Sequence, residues 1–197
     1  CEQIAAQIEH DLDVTATSLR DVSERHRSMR AALAYSWDLL SRDERVVLRK
    51  LALFRGAFDA RAGREVAGLS PRTLSSLLNK ALLRRGTGDR YEMHELVRQF
   101  AAERLDEHPA EKRTTGDRHC AHYVSFLRQR EGPLKTGQQK KSLGEISAEI
   151  ENIRAAWQWA VAQRRLEEID RCLESLYYFY WARNWFHQGE RALEEAE

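Results

Sequence analysis

The chain is 197 residues long, and its 32 Lys+Arg against 31 Asp+Glu leave no bulk charge to draw it to nucleic acid or to a membrane surface. It is 42% apolar in short periodic runs, none near the roughly 18 residues of a membrane span. Its first residues, CEQIAAQIEHDLD, are acidic and amphipathic rather than a signal peptide, and three widely spaced cysteines (Cys1, Cys120, Cys172) fit free thiols in a cytoplasmic, mostly helical protein.

Glu2 to Leu12 reads as one helix with Ile4, Ala5, Ile8 and Leu12 on one face, and the polar stretch Asp13 to Glu24 as a loop or weak helix. Arg25 to Leu40 is a strong helix, its stripe formed by Met29, Leu33, Trp37 and Leu40. Ser41 and Glu44 have the spacing of a capping box and open a helix to about Phe54, with Val47, Leu48, Leu51 and Leu53 buried. Asp59 can cap a helix to Ala67, and Ser70 followed by Pro71 is an N-cap and first-turn proline for a helix to about Ala81. The stretch LLRRGTGDRYEM then alternates and turns on Gly86 to Asp89, a hairpin signal. Three short helices followed by a two-stranded ribbon is the order of a winged helix, with Leu69, Leu74, Leu77, Leu78, Leu82 and Leu83 as its core. After Pro109 long helices are expected at Arg113–Arg130, Leu143–Gln163, Leu166 to about Ala182, and from Trp185 onward, with EGPLKTGQQKK as a break after the first. The last two read as an antiparallel pair of a solenoid array that runs on past Glu197. The expected domains are therefore 1–40, 41–108 and 109–197, and the start at Cys1 reads as a piece of a longer chain.

Four groups of residues invite a functional reading. His94 stands on the seam between the strand RYEM and the helical rhythm of Leu96, Val97, Phe100, Ala101 and Leu105, where Ser, Asp or Thr would cap better. The helix SPRTLSSLLNKALLRR would expose Arg72, Ser75, Ser76, Asn79 and Lys80 to DNA, with Arg84, Arg85 and Arg90 on the wing. Yet from Arg42 to His108 only 14 Lys+Arg stand against 10 Asp+Glu, a thin surplus for a dedicated DNA reader, so direct DNA binding is the alternative expectation. Seven aromatics fall between Tyr177 and Phe186, either as packing between helices or, through Tyr178, Trp181 and Trp185, as a partner surface. His119, Cys120 and His122 form an H-C-x-H cluster with no second cluster to complete a zinc site, so no metal is expected there. No nucleophile stands beside a base, and GPLKTG lacks the Lys-Ser/Thr ending of a phosphate loop, so no enzyme activity is expected of this stretch.

Taken together, the segments RHRSMRAALAYSWDLLSRDERVVLRKLALFRGAFD, YEMHELVRQFAAERL, EIENIRAAWQWAV and WARNWFHQGERALEEA resemble, in order and spacing, the STAND-type signal-transduction ATPases with an NB-ARC nucleotide switch. The resemblance implies a mainly α fold: a winged-helix domain with a small β-hairpin, then a helical bridge and the start of a tetratricopeptide-like solenoid, as in bacterial transcriptional regulators. Residues 1–40 would then lead from an upstream nucleotide-binding domain of the same chain. Met93, His94 and Glu95 match the family's Met-His-Asp motif, whose histidine touches the β-phosphate of bound ADP; Glu95 departs from the usual Asp. ADP or ATP with Mg would be held upstream, the repeats would bind a protein or small-molecule effector, and the active form would be a homo-oligomer. The rival classes are a DNA-binding winged-helix factor with a helical effector or dimerisation domain, and a helical-repeat scaffold.

Overall fold

The computed structural model describes residues 30–194. The chain divides between Ser41 and Arg42 into two units, each taken here by itself. The expected helix at Glu2–Leu12, the stretch to Glu24 and the start of the next helix lie outside the described residues. In the first unit helix α1 is described over residues 30–38, with Leu33 and Trp37 half-buried and Tyr35 and Leu39 exposed.

From Arg42 onward the molecule is mainly helical with one small antiparallel sheet, a winged helix followed by paired helices. The winged helix comprises α2 (Arg42–Leu51), β1 (Phe58–Asp59), α3 (Ala60–Ala67), α4 (Pro71–Asn79), β2 (Arg84–Arg85), β3 (Arg90–Glu92) and α5 (Glu95–Asp106). Asp59 caps α3 by accepting from the Ala62 N–H at 2.7 Å, and Ser70 caps α4 by accepting from the Thr73 N–H at 3.1 Å. Helix α3 stops at Gly68, whose φ of 73° lets its own N–H and that of Leu69 turn back to the last carbonyls. The wing turns on Gly88 and Asp89, both at positive φ.

The sheet has three strands in the order β1-β3-β2, with Phe58 opposite Tyr91 and Arg85 opposite Tyr91 on the other side. The sequence reading expects only the ribbon. Strand β1 is two residues long, too short to show an alternation. The helix expected to reach Phe54 ends at Leu51, and Phe54 is buried instead as a loop residue. Leu69, Leu77, Leu82 and Leu83 are buried as expected, whereas Leu53, Leu74 and Leu78 are half-buried.

The second part comprises α6 (Pro109–Leu134), α7 (Gln139–Ala162), α8 (Leu166–Ala182) and α9 (Phe186–Glu194). Helix α6 is longer than expected at both ends, and residues 135–138 alone remain of the break. Pro109 is tolerated as a first-turn residue, Pro133 removes a single donor one residue before the helix ends, and buried Leu134 anchors that end. Gly116 lets α7 approach α6: a Cβ there would fall 2.5 Å from Trp159 Cε2. The Trp159 indole N–H donates to Asp117, which also takes Arg165.

The turns α7–α8 and α8–α9 share one hydrogen-bond pattern. Arg164 and Asn184, twenty residues apart, are both left-handed (φ 51° and 55°), and the residue after each donates back to Ala160 or Tyr180. That repetition is what a solenoid of stacked helical pairs requires.

A buried polar cluster joins the winged helix to the paired helices. Glu149 of α7 receives Arg90 of β3, the Tyr123 hydroxyl at 3.1 Å and the Asn152 amide at 3.0 Å. Asn152 also accepts from the Arg55 and Gly56 N–H groups and donates to the Ala57 carbonyl, to which Arg90 donates as well. Phe54, Phe58, His119 and Tyr123 stack beside it. Glu149 is buried under Arg90, and Arg154 pairs with Glu151. Glu167 and Arg171 form an exposed pair at 3.4 Å.

Candidate functional site

His94 is the N-cap of α5, in extended backbone with φ −60° and ψ 139°. Its Nδ1 accepts the Leu96 N–H at 3.3 Å, so the ring does the work of an Asp or Ser side chain. A ring nitrogen that accepts cannot carry the hydrogen, which places the hydrogen of the neutral imidazole on Nε2. The ring is exposed, so Nε2–H is a donor that an approaching group can reach, at the positive end of a helix.

Its neighbours behave differently. Met93 is half-buried. Glu95 is clamped by Nη2 and Nε of Arg98, at 2.6 and 2.7 Å, and by Gln99 at 2.8 Å. The Arg98 guanidinium, helped by Gln99, holds the Glu95 carboxyl down at about 2. Arg98 also donates to the Ala52 carbonyl, tying α5 to the end of α2. The Arg55 guanidinium is shifted down, first by burial and then by Arg98. Neither arginine stood out in the sequence, because their meeting depends on how α5 packs on α2.

The residues expected on a DNA-facing helix divide into two sets. Arg72, Ser75 and Asn79 lie on the exposed face of α4. Ser76 and Lys80 turn inward to Glu44 of α2: the Ser76 hydroxyl donates to it at 2.5 Å and the Lys80 ammonium reaches both its oxygens at 2.8 and 2.9 Å. On the wing, Arg84 pairs with Glu92 at 2.9 Å and Arg90 turns in to Glu149, while Arg85 stays exposed. Among the described residues, Arg72 and Arg85 are thus the cations without a partner on a face that the sequence credited with five.

The H-C-x-H cluster is dispersed. His119 is buried against Phe54 and Tyr123, and burial, then His122 and Arg55, hold its imidazole down at about 3. His122 pairs with Glu65 of α3 at 2.7 Å. Burial raises the Cys120 thiol to about 11 and that of Cys172 to about 12, so neither is a ready nucleophile or ligand. Among the described residues no group of three or more His, Cys, Asp or Glu is placed to hold a metal ion.

Of the aromatic run, Phe179 and Tyr180 are buried, while Tyr177, Trp181 and Phe186 are more than half exposed. Tyr178 is half-buried below Lys135, and Trp185 packs edge-on against Phe179 under Arg154. Trp181 is therefore the open member of the expected trio. It borders a cleft of about 490 Å³ between α8 and α9.

The sequence is 27% identical over 197 residues to proteins named as candidate HTH-type transcriptional regulators in Mycobacterium bovis and in Mycobacterium tuberculosis. The match takes in 95% of this chain but 22% of each relative, so the chain spans under a quarter of the length of the curated relatives it matches. No family model matches the chain, and no solved structure matches it. No described helix is long and apolar enough to cross a membrane.

The buried cluster around Glu149 is what sequence reasoning missed. Apart from the one between Glu149 and Asn152, neighbours on α7, its hydrogen bonds span 26 to 97 positions, a separation at which no periodicity or motif operates.

Proposed function

We propose that this chain is a regulatory module of a transcriptional regulator, in which the winged helix reports the nucleotide state of an upstream domain and the helical pairs take an effector or partner. The similarity to relatives named as regulators supports the general role. The observation that carries the finer reading is the His94 ring: pinned through Nδ1 to its own helix, it offers Nε2–H outward. When bound upstream, the nucleotide supplies the anionic phosphate, and His94 of this chain would donate to one of its oxygens. Glu95 does not compete for the His94 donor, because Arg98 holds it. The buried Glu149 cluster would carry any swing of the winged helix into the helical pairs as one body.

A charge-assisted hydrogen bond of this kind contributes roughly 1.5–3 kcal/mol, a tenfold to hundredfold shift in a two-state equilibrium. In the complete protein His94→Ala is expected to raise the ADP off-rate by at least tenfold while the fold is kept, read by release of a fluorescent ADP analogue. An unchanged off-rate refutes the reading.

DNA binding through α4 and the wing is the second reading, favoured by the HTH-type name of the relatives and by the exposed Arg72, Ser75, Asn79 and Arg85. Anisotropy of labelled duplex DNA at two salt concentrations separates the two. Micromolar binding with a steep salt slope supports it.

A further inference from the structure

One face of α8 is apolar and, among the described residues, uncovered. Leu166, Leu173, Tyr177 and Trp181 are 73%, 38%, 56% and 55% exposed, and Asp170 completes the row. The steps along it are four, three, four and four residues, the spacing of a helix-packing seam rather than of a groove for an extended strand. Fifteen steps from Leu166 to Trp181, at 1.5 Å each, make it about 22 Å long. At its end the cleft between α8 and α9 opens, walled by Trp157, Leu176, Tyr177, Tyr180, Trp181 and Phe186.

The charge around this seam is one-sided. Over the described side chains from Leu166 to Glu190, five Asp+Glu stand against two Lys+Arg. Much of the local acid is already matched: Glu168 by Arg165, Glu167 by Arg171 and Glu174 by Lys135. Asp170, inside the seam, has no ion pair among the described residues. Glu190, on the cleft wall, pairs among the described residues with His187 alone, at 3.8 Å.

We infer that this seam docks a basic amphipathic helix of a partner protein. The spacing asks for a helix. The open aromatic faces ask for apolar anchors, one of them seated in the cleft. Asp170 and Glu190 ask for Lys or Arg beside those anchors, since covering an unmatched carboxylate with an apolar or acidic surface is unfavourable. Aromatic faces add attraction for the same cations. This deepens the regulatory reading by naming the partner's chemistry, and its test involves no nucleotide, so the two stand or fall separately.

The test uses two fluorescein-labelled 18-residue helical peptides with the same leucine seam, one flanked by lysines and one by glutamates. Each is titrated with this chain at 50 and 200 mM salt. The lysine peptide is expected to bind at least tenfold tighter than the glutamate peptide and to weaken at the higher salt. Trp181→Ala is expected to cost tenfold or more, and Asp170→Asn to flatten the salt dependence. Both side chains are exposed, so circular dichroism and melting should match the parent chain. Equal binding of the two peptides overturns the inference, as does full binding by folded Trp181→Ala. A chain that self-associates through this seam, seen as a dimer abolished by Trp181→Ala, also overturns it in favour of a second copy.

Discussion

Arg90→Met tests whether the winged helix and the helical pairs are held by the Glu149 cluster. The side chains of Arg90 and Glu149 keep 18% and 8% of their exposure, so the pair is well shielded from water. Removing the guanidinium leaves a buried carboxylate satisfied only by the Tyr123 hydroxyl and the Asn152 amide. Breaking a buried pair in this way costs about 3–5 kcal/mol, and the two remaining donors argue for the lower end, about 3 kcal/mol. For a unit of this size that lowers the melting temperature by about 6–12 °C. Glu149→Gln keeps an acceptor for Tyr123 and removes the charge, so the double variant carries neither half of the ion pair. Urea unfolding of parent, single and double variants forms a cycle, and the double variant should recover at least about 1.5 kcal/mol relative to the sum of the singles. An Arg90→Met cost under about 1 kcal/mol, or additivity within about 0.5 kcal/mol, refutes the reasoning. A second outcome belongs to the same experiment: if the cluster is the joint, Arg90→Met unfolds in two steps where the parent unfolds in one.

Two further expectations concern the helical pairs. Gly116→Ala should lower the melting temperature, because overlap with the Trp159 indole outweighs the gain in helix propensity of about 1 kcal/mol; a rise in melting temperature would show that α6 and α7 do not approach so closely. His119 is held neutral by burial, with its pKa at about 3 in the folded chain against an ordinary 6.5. The unfolded chain therefore binds the proton more readily. This residue's contribution to stability is complete above about pH 6.5 and declines as pH falls toward 3, by at most about 1.4 kcal/mol per pH unit. His119→Phe should flatten the pH dependence of unfolding between pH 6.5 and about 4.5, above the range where carboxylates such as Glu95 begin to contribute. An unchanged slope would show that another group carries it.

What local chemistry dictates was legible in the sequence. Asp59, Ser70 and Pro71 mark helix starts by the bonds they can or cannot make to the next turn, and Gly86–Asp89 marks a wing because few other residues accept those angles. The four long helices follow from their apolar rhythm, and His94 was conspicuous for sitting where a hydroxyl or carboxylate is ordinary. The sequence could not say which polar side chains face inward, because that depends on partners far along the chain. Ser76 and Lys80 look like DNA contacts until Glu44, more than thirty positions away, is brought beneath them. Glu149 looks like a surface acid until β3 supplies Arg90. Periodicity assigns a residue to a face. Only packing decides whether that face meets water, another helix or a charge of opposite sign, and the cost of burying an unmatched charge makes that decision carry so much of the structure.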